Sequence, residues 1–113
     1  MLARLQSPEP DYRTRLQKMM LSRPPGTLSE EEAAASLFIS KRTLARKLKN
    51  ENSSFRKIRD EVLSRQAASY LCNSQLSVEA TATLLNYHDT ASFRRAFKRW
   101  FGQTPDQYRQ HAG

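Results

Sequence analysis

The sequence predicts an all-α domain of about seven helices, in which two short helix pairs flank one long helix. Three observations predict it. Apolar residues recur at helical spacing, most plainly Phe93, Phe97, Trp100 and Phe101. Capping residues stand where the periodic runs begin, at Asp11, Ser29, Ser40, Asp89 and Thr104. The order of cap, small residue, apolar turn and basic helix occurs twice along the chain.

Taken in order, residues 1–10 oppose a long helix, because Ser7, Pro8, Glu9 and Pro10 close the segment. A flexible segment or linker remnant is expected there, with the domain over 11–113. Asp11 caps a first helix through about Ser22, with Tyr12, Leu16 and Met19 on its apolar face. Arg23-Pro24-Pro25-Gly26 breaks it. The first helix pair covers about 28–50. Ser29 caps its first member, and Glu32 completes a capping box. The acidic run Glu30–Glu32 complements the helix dipole. Ala33, Ala34 and Ala35 let a second helix cross closely. After the apolar turn Leu37-Phe38-Ile39, Ser40 opens that second helix. Leu44 and Leu48 face inward, and Lys41, Arg42, Ala45, Arg46 and Lys49 face out. Two short helices joined by a tight turn, the second basic on its outer side, form a helix-turn-helix.

The long helix covers about 54–73, roughly 30 Å by its rise per residue. Phe55, Ile58, Val62, Ala67 and Leu71 mark its inner face. A second helix-turn-helix follows over about 77–101, where Asp89 caps the basic helix and Gly102 stops it. A final helix is expected over about 105–110. Thr104 caps it, Pro105 takes the first helical position, and Gln107 closes the box.

The two units correspond residue by residue. Leu28-Ser29 matches Leu76-Ser77, Ala34 matches Ala82, and Leu37 matches Leu85. After one extra residue near His88, Ser40 falls on Asp89, Leu44 on Phe93, Arg46 on Arg95, Leu48 on Phe97, and Lys49 on Lys98. Shared order at this many positions argues for two structural copies.

Charge narrows the partners. A net charge of +8 and a pI near 10.2 point to a polyanion, most plausibly nucleic acid, against the plainer reading of a solvated basic surface. The single cysteine, Cys72, excludes an internal disulfide and a cysteine-based zinc site. There is no paired-carboxylate set, Ser/His/Asp set, phosphate-cradling glycine loop or metal-ligand spacing, so no catalysis, cofactor or metal is expected. No run approaches membrane-spanning length and no signal peptide is read, so a cytoplasmic, nucleoid-associated protein is expected.

The run from Asn86 to Arg109 resembles the C-terminal signature of the AraC/XylS family of bacterial transcription regulators. Tyr87, Asp89, Phe93, Arg95, Phe97, Lys98, Gly102, Pro105, Tyr108 and Arg109 stand in register with it. In the first unit, Ser40, Arg42, Leu44 and Arg46 match the family's recurrent Ser-x-Arg-x-Leu-x-Arg. The chain departs at Asn86 and Phe38, where glycine is common, and at Ser92, one place after the usual serine. It departs again at Leu63, where an arginine is frequent.

The resemblance implies sequence-specific binding of double-stranded promoter DNA, with two recognition helices in successive major grooves about 34 Å apart. Arg42 and Arg46, four apart on one face, are the candidates for guanine edges, and Ala45 beside them suits a thymine methyl. Thr90, Ala91, Arg94 and Arg95 hold the corresponding outward positions of the second helix. Phosphate contacts are expected from Ser40, Lys41, Lys47, Lys49, Arg56, Lys98 and Arg99. RNA polymerase is the implied protein partner. The domain itself is expected to be monomeric, with dimerisation of a longer regulator left to a separate N-terminal domain. The competing class is a helical adaptor for an acidic protein or RNA. A single-strand stacking platform on the aromatic stripe is weighed against a plain core role.

Overall fold

The computed structural model describes residues 11–112. The segment 1–10, expected as a flexible segment or linker remnant, lies outside the described residues. Among the described residues seven helices follow in order: α1 Tyr12–Leu21, α2 Glu30–Ser36, α3 Lys41–Asn50, α4 Phe55–Asn73, α5 Val78–Leu84, α6 Thr90–Phe101 and α7 Pro105–Ala112. No strand occurs among the described residues. The last helix runs two residues past Gln110, the end expected from the sequence.

Short polar side chains start these helices. Asp11, Ser29, Ser40, Ser54, Ser77 and Asp89 each accept the backbone N–H three residues on. Each such cap contributes about 0.5–2 kcal/mol. Ser29 and Glu32 form the reciprocal capping box, and Thr104 and Gln107 repeat it at α7. Gly102 ends α6 in a left-handed conformation, φ 75°. One start has a second, distant partner. The Glu51 carboxylate accepts from the backbone N–H groups of Tyr12 and Arg13, each at 2.9 Å, and so anchors α1 to the end of α3.

Two cores result. The first gathers Leu16 and Met20 of α1, Leu28, Ala33 and Ala34, Leu44 and Leu48 of α3, and Ile58 and Val62 of α4. The second gathers Leu63, Ala67 and Leu71 of α4 with Val78, Ala82, Leu85, Phe93 and Phe97. Removing Phe93 or Phe97 from water stabilises the fold by about 1.5–3 kcal/mol each. The long helix therefore feeds one core with its first half and the other with its second half. Leu63, 2% exposed, is a core residue of the second unit. On α1 Met20 is buried, and Met19 packs partly buried against the same core.

Helix packing follows the same division. α1 packs on α3 and α4, while α5, α6 and α7 each pack on α4, so substantial helix contact between the halves passes through α4. Arg109 secures its far end. The guanidinium donates to the carbonyl of Leu71 at 3.1 Å and to that of Leu76. Tyr108 packs its ring 5.3 Å from Phe97 and 4.9 Å from Phe101, which seats α7 on α6.

Candidate nucleic-acid interface

The repeat read in the sequence extends to the backbone of the two turns. Leu37 and Leu85 follow α2 and α5 with matching bonds from their N–H groups to Ala33 and Thr81. Phe38 and Asn86 come next, both left-handed, at φ 59° and 63°. The N–H groups of Ile39 and Tyr87 then return to the carbonyls of Ala34 and Ala82, at 3.1 and 3.0 Å. His88 is the one added residue before the second cap. Asn is well suited to this backbone, whereas a bulky aromatic is rare there.

Each turn delivers a helix with one buried face and one open one. In α3, Leu44 and Leu48 are fully buried, while Arg42, Ala45, Arg46 and Lys49 are exposed on the opposite side. In α6, Phe93, Ala96 and Phe97 are buried, while Ala91, Arg95 and Lys98 are exposed. The aromatic stripe is core: Phe93 and Phe97 have no exposed surface, and Trp100 and Phe101 pack against the same cluster. A single-strand stacking platform is thereby excluded for these two phenylalanines.

The candidate cations fall into two groups. Among the described residues, the side chains of Arg42, Arg46, Lys49, Arg56 and Lys98 have no hydrogen-bond or ion-pair partner within the chain. Their charge is unspent. Others are engaged. Lys41 pairs with Glu31 at 3.3 Å, and Arg99 with Asp60 at 3.4 Å. Both pairs are solvent-exposed on at least one side, where an ion pair contributes little to stability. Lys47 is half-buried with its ammonium 5.4 Å from the Tyr12 ring centre. Arg94 is held most firmly. Its guanidinium lies 2.6 Å from Asp106 and 3.6 Å from Glu79, bridging α6 to α7 and α5. Thr90 is half-buried at the first position of α6.

Sequence reasoning did not find the partners of Arg94, Arg99 and Lys41, because none lies at a helical spacing from its cation. It also missed the role of Ser92. The Ser92 hydroxyl accepts from Nη2 of Arg95 at 3.2 Å and so holds that guanidinium along the outer face of α6. A serine three residues before an arginine on a helix is the signal that points to such a contact.

The helix starts stabilise the negative charge of their own carboxylates. The Ser92 backbone N–H holds the Asp89 carboxyl below its ordinary value, with the charges of His88 and Arg95 adding to the effect. Glu31 is held low by a backbone N–H and by Lys41. No group of three or more metal-ligating side chains occurs among the described residues, and no described helix is long and apolar enough to cross a membrane.

Residues 33–111 match the family described as a helix-turn-helix domain. This span holds both turns, both basic helices and the signature residues from Tyr87 to Arg109. The chain belongs to the AraC-type helix-turn-helix family. Over 97 residues it is 37% identical to the ornithine utilization regulator of Pseudomonas aeruginosa, covering 86% of this chain and 29% of that protein. The transcriptional regulator CdpR from Pseudomonas aeruginosa superposes with a TM-score of 0.83 at 36% identity, over 88% of this chain and 31% of that one. The DNA-binding domain of AdpA, a global transcriptional factor solved in complex with a target DNA, shares the fold. Its TM-score is 0.78 at 23% identity, over 90% and 93% of the two chains. The chain thus spans about three tenths of the length of the longer relatives it matches. As an AraC-type domain it is a DNA-binding module of transcription regulators rather than an enzyme.

Proposed function

We propose that α3 and α6 enter successive major grooves on one face of a promoter duplex, with α4 holding them about one helical turn apart. The observation that supports this best is the match between the two units, down to the left-handed turn residue and the N-cap, with an open basic face on each second helix. A 19-residue α4 reaches about 28 Å at 1.5 Å per residue, a span of the right size.

In this reading Arg42 and Arg46 grip guanine edges and Ala45 meets a thymine methyl. Ala91 and Arg95, with Thr90 at the helix start, read the second groove. Arg94, committed to Asp106 and Glu79, steadies α6 instead of reading bases. Ser40, Lys49, Arg56 and Lys98 take phosphates directly. Lys41 and Arg99 do so by exchanging a carboxylate for a phosphate, and Lys47 does so from beside Tyr12. RNA polymerase at the bound promoter is the protein partner that follows, in the nucleoid, with the domain binding as a monomer.

A salt titration against a selected duplex and a scrambled one tests this. Affinities that differ by about 10³-fold or more at fixed salt are expected. Equal affinities would favour an adaptor for an acidic protein or RNA.

A further inference from the structure

Substantial helix packing between the two units runs through α4, yet a direct contact between loops bypasses it. The loop between α1 and α2 reaches the turn of the second helix-turn-helix. The side-chain amide of Asn86 donates to the carbonyl of Pro25, 61 residues away. Beside it Gly26 lies so close to that turn that an added Cβ would sit 2.9 Å from the Leu85 carbonyl oxygen and 3.4 Å from the Asn86 Cβ. Gly26 has φ 76°, a conformation that side-chain-bearing residues rarely adopt. Pro24 and Pro25 fix their own φ angles and stiffen the approach. The same loop is tied back to the first unit, where Arg23 pairs with Glu32 of α2 at 3.4 Å.

Rigid loop, glycine contact and asparagine amide therefore join the first unit directly to the turn that aims α6. A long helix alone resists bending but leaves each unit free to rock about its own contacts with it. A second attachment, away from α4, removes that freedom. The structurally matched residue Phe38 has its side chain 94% exposed and makes no such cross-unit contact. The strap combines the Asn86 amide with the close approach of Gly26 to the Leu85 carbonyl, and Phe38 has neither.

We propose that the Pro25-Gly26/Asn86 contact is a positioning strap that fixes the angle between the two basic helices, making Asn86 a determinant of half-site spacing. Its effect on spacing rests on the two-groove reading above; its effect on the angle does not. Asn86→Gly deletes the amide and keeps the left-handed backbone. Gly26→Ala wedges the contact apart by a different route. Phe38→Gly makes the same kind of change at the matched position without touching the strap.

The first readout is the distance distribution between spin labels on α3 and α6 in free protein, at Asn50→Cys and Ala91→Cys in a Cys72→Ser background. Asn86→Gly and Gly26→Ala should broaden it, while Phe38→Gly leaves it narrow. An unbroadened distribution in both strap variants overturns the proposal. The second readout uses unlabelled protein on duplexes whose half-sites are moved together or apart by one base pair. The parent should lose about tenfold or more, and Asn86→Gly about threefold or less, with matched-duplex affinity preserved. A variant profile that follows the parent's overturns the assignment of Asn86 to spacing. A parent indifferent to spacing, with label distances that still broaden, overturns the two-groove reading and leaves the strap standing.

Discussion

Phe38 and Asn86 occupy the same place in the two helix-turn-helix turns, each left-handed, at φ 59° and 63°. The backbone requirement is set by the tight return from α2 to α3 and from α5 to α6, and it is identical in both. The residues meeting it are not. Asparagine visits this region with little penalty, while a non-glycine, non-asparagine residue there costs about 1–2 kcal/mol. Phe38 repays none of this through burial, because 94% of its surface is exposed.

Phe38→Gly should therefore stabilise the domain by about 1 kcal/mol, even after the entropy that glycine adds to the unfolded chain. For a domain of this size that is a rise of roughly 4–8 °C in melting temperature. A calorimetric scan checks it. A lowered melting temperature would mean that Phe38 makes an enthalpic contribution in spite of its exposure.

Arg46 and Lys98 should respond differently to truncation. Arg46→Ala is expected to cost about 1–3 kcal/mol on the preferred site and to relax base choice at one position. Lys98→Ala is expected to weaken every duplex about equally and to lower the salt slope by roughly one. Binding isotherms on a set of single-base variants, repeated at several salt concentrations, separate the two. An Arg46→Ala protein with its base preferences intact would take Arg46 out of the reading face.

Arg94 holds two exposed ion pairs that its place on the helix does not reveal. Its outward helical position reads as groove-facing, yet Asp106 and Glu79 hold it across three helices. Arg94→Ala should lower stability by about 0.2–1 kcal/mol, the range for exposed pairs, and leave base preferences unchanged. Loss of a base preference with unaltered melting would restore it to the reading set.

Acid should weaken the fold partly through Asp89. Its carboxyl is held below the ordinary value of 3.8, so the folded form releases that proton more readily than the unfolded chain. The stability it contributes is complete above 3.8 and is lost as pH falls through the lower folded value. Asp89→Asn keeps a capping oxygen and removes the titration. Urea unfolding midpoints measured downward from neutral pH should fall less steeply for this variant. Some acid dependence should remain from Asp11, Glu31 and Glu32, which are also held low. Superimposable curves for parent and variant would remove Asp89 from the account.

What was legible in the sequence was local. Caps at Asp11, Ser29, Ser40, Asp89 and Thr104 announce themselves because cap and N–H lie three residues apart. The inward leucines and phenylalanines of α3 and α6 were equally plain, since one helix face serves one core. Leu63 falls outside the inner face expected of the long helix because α4 serves two cores, and its apolar positions do not form a single stripe. Nor does periodicity mark the Glu51 anchor on α1 or the Asp60 partner of Arg99, each 39 residues from its partner. These depend on how the units dock, which spacing along the chain does not record.

Methylation interference on a duplex selected from a random pool probes the central geometry most directly, because guanine N7 faces the major groove. Two clusters of interfering guanines, on one face and about 10–10.5 base pairs apart, are the expected result. One cluster alone, or two on opposite faces of the duplex, would contradict simultaneous entry of α3 and α6.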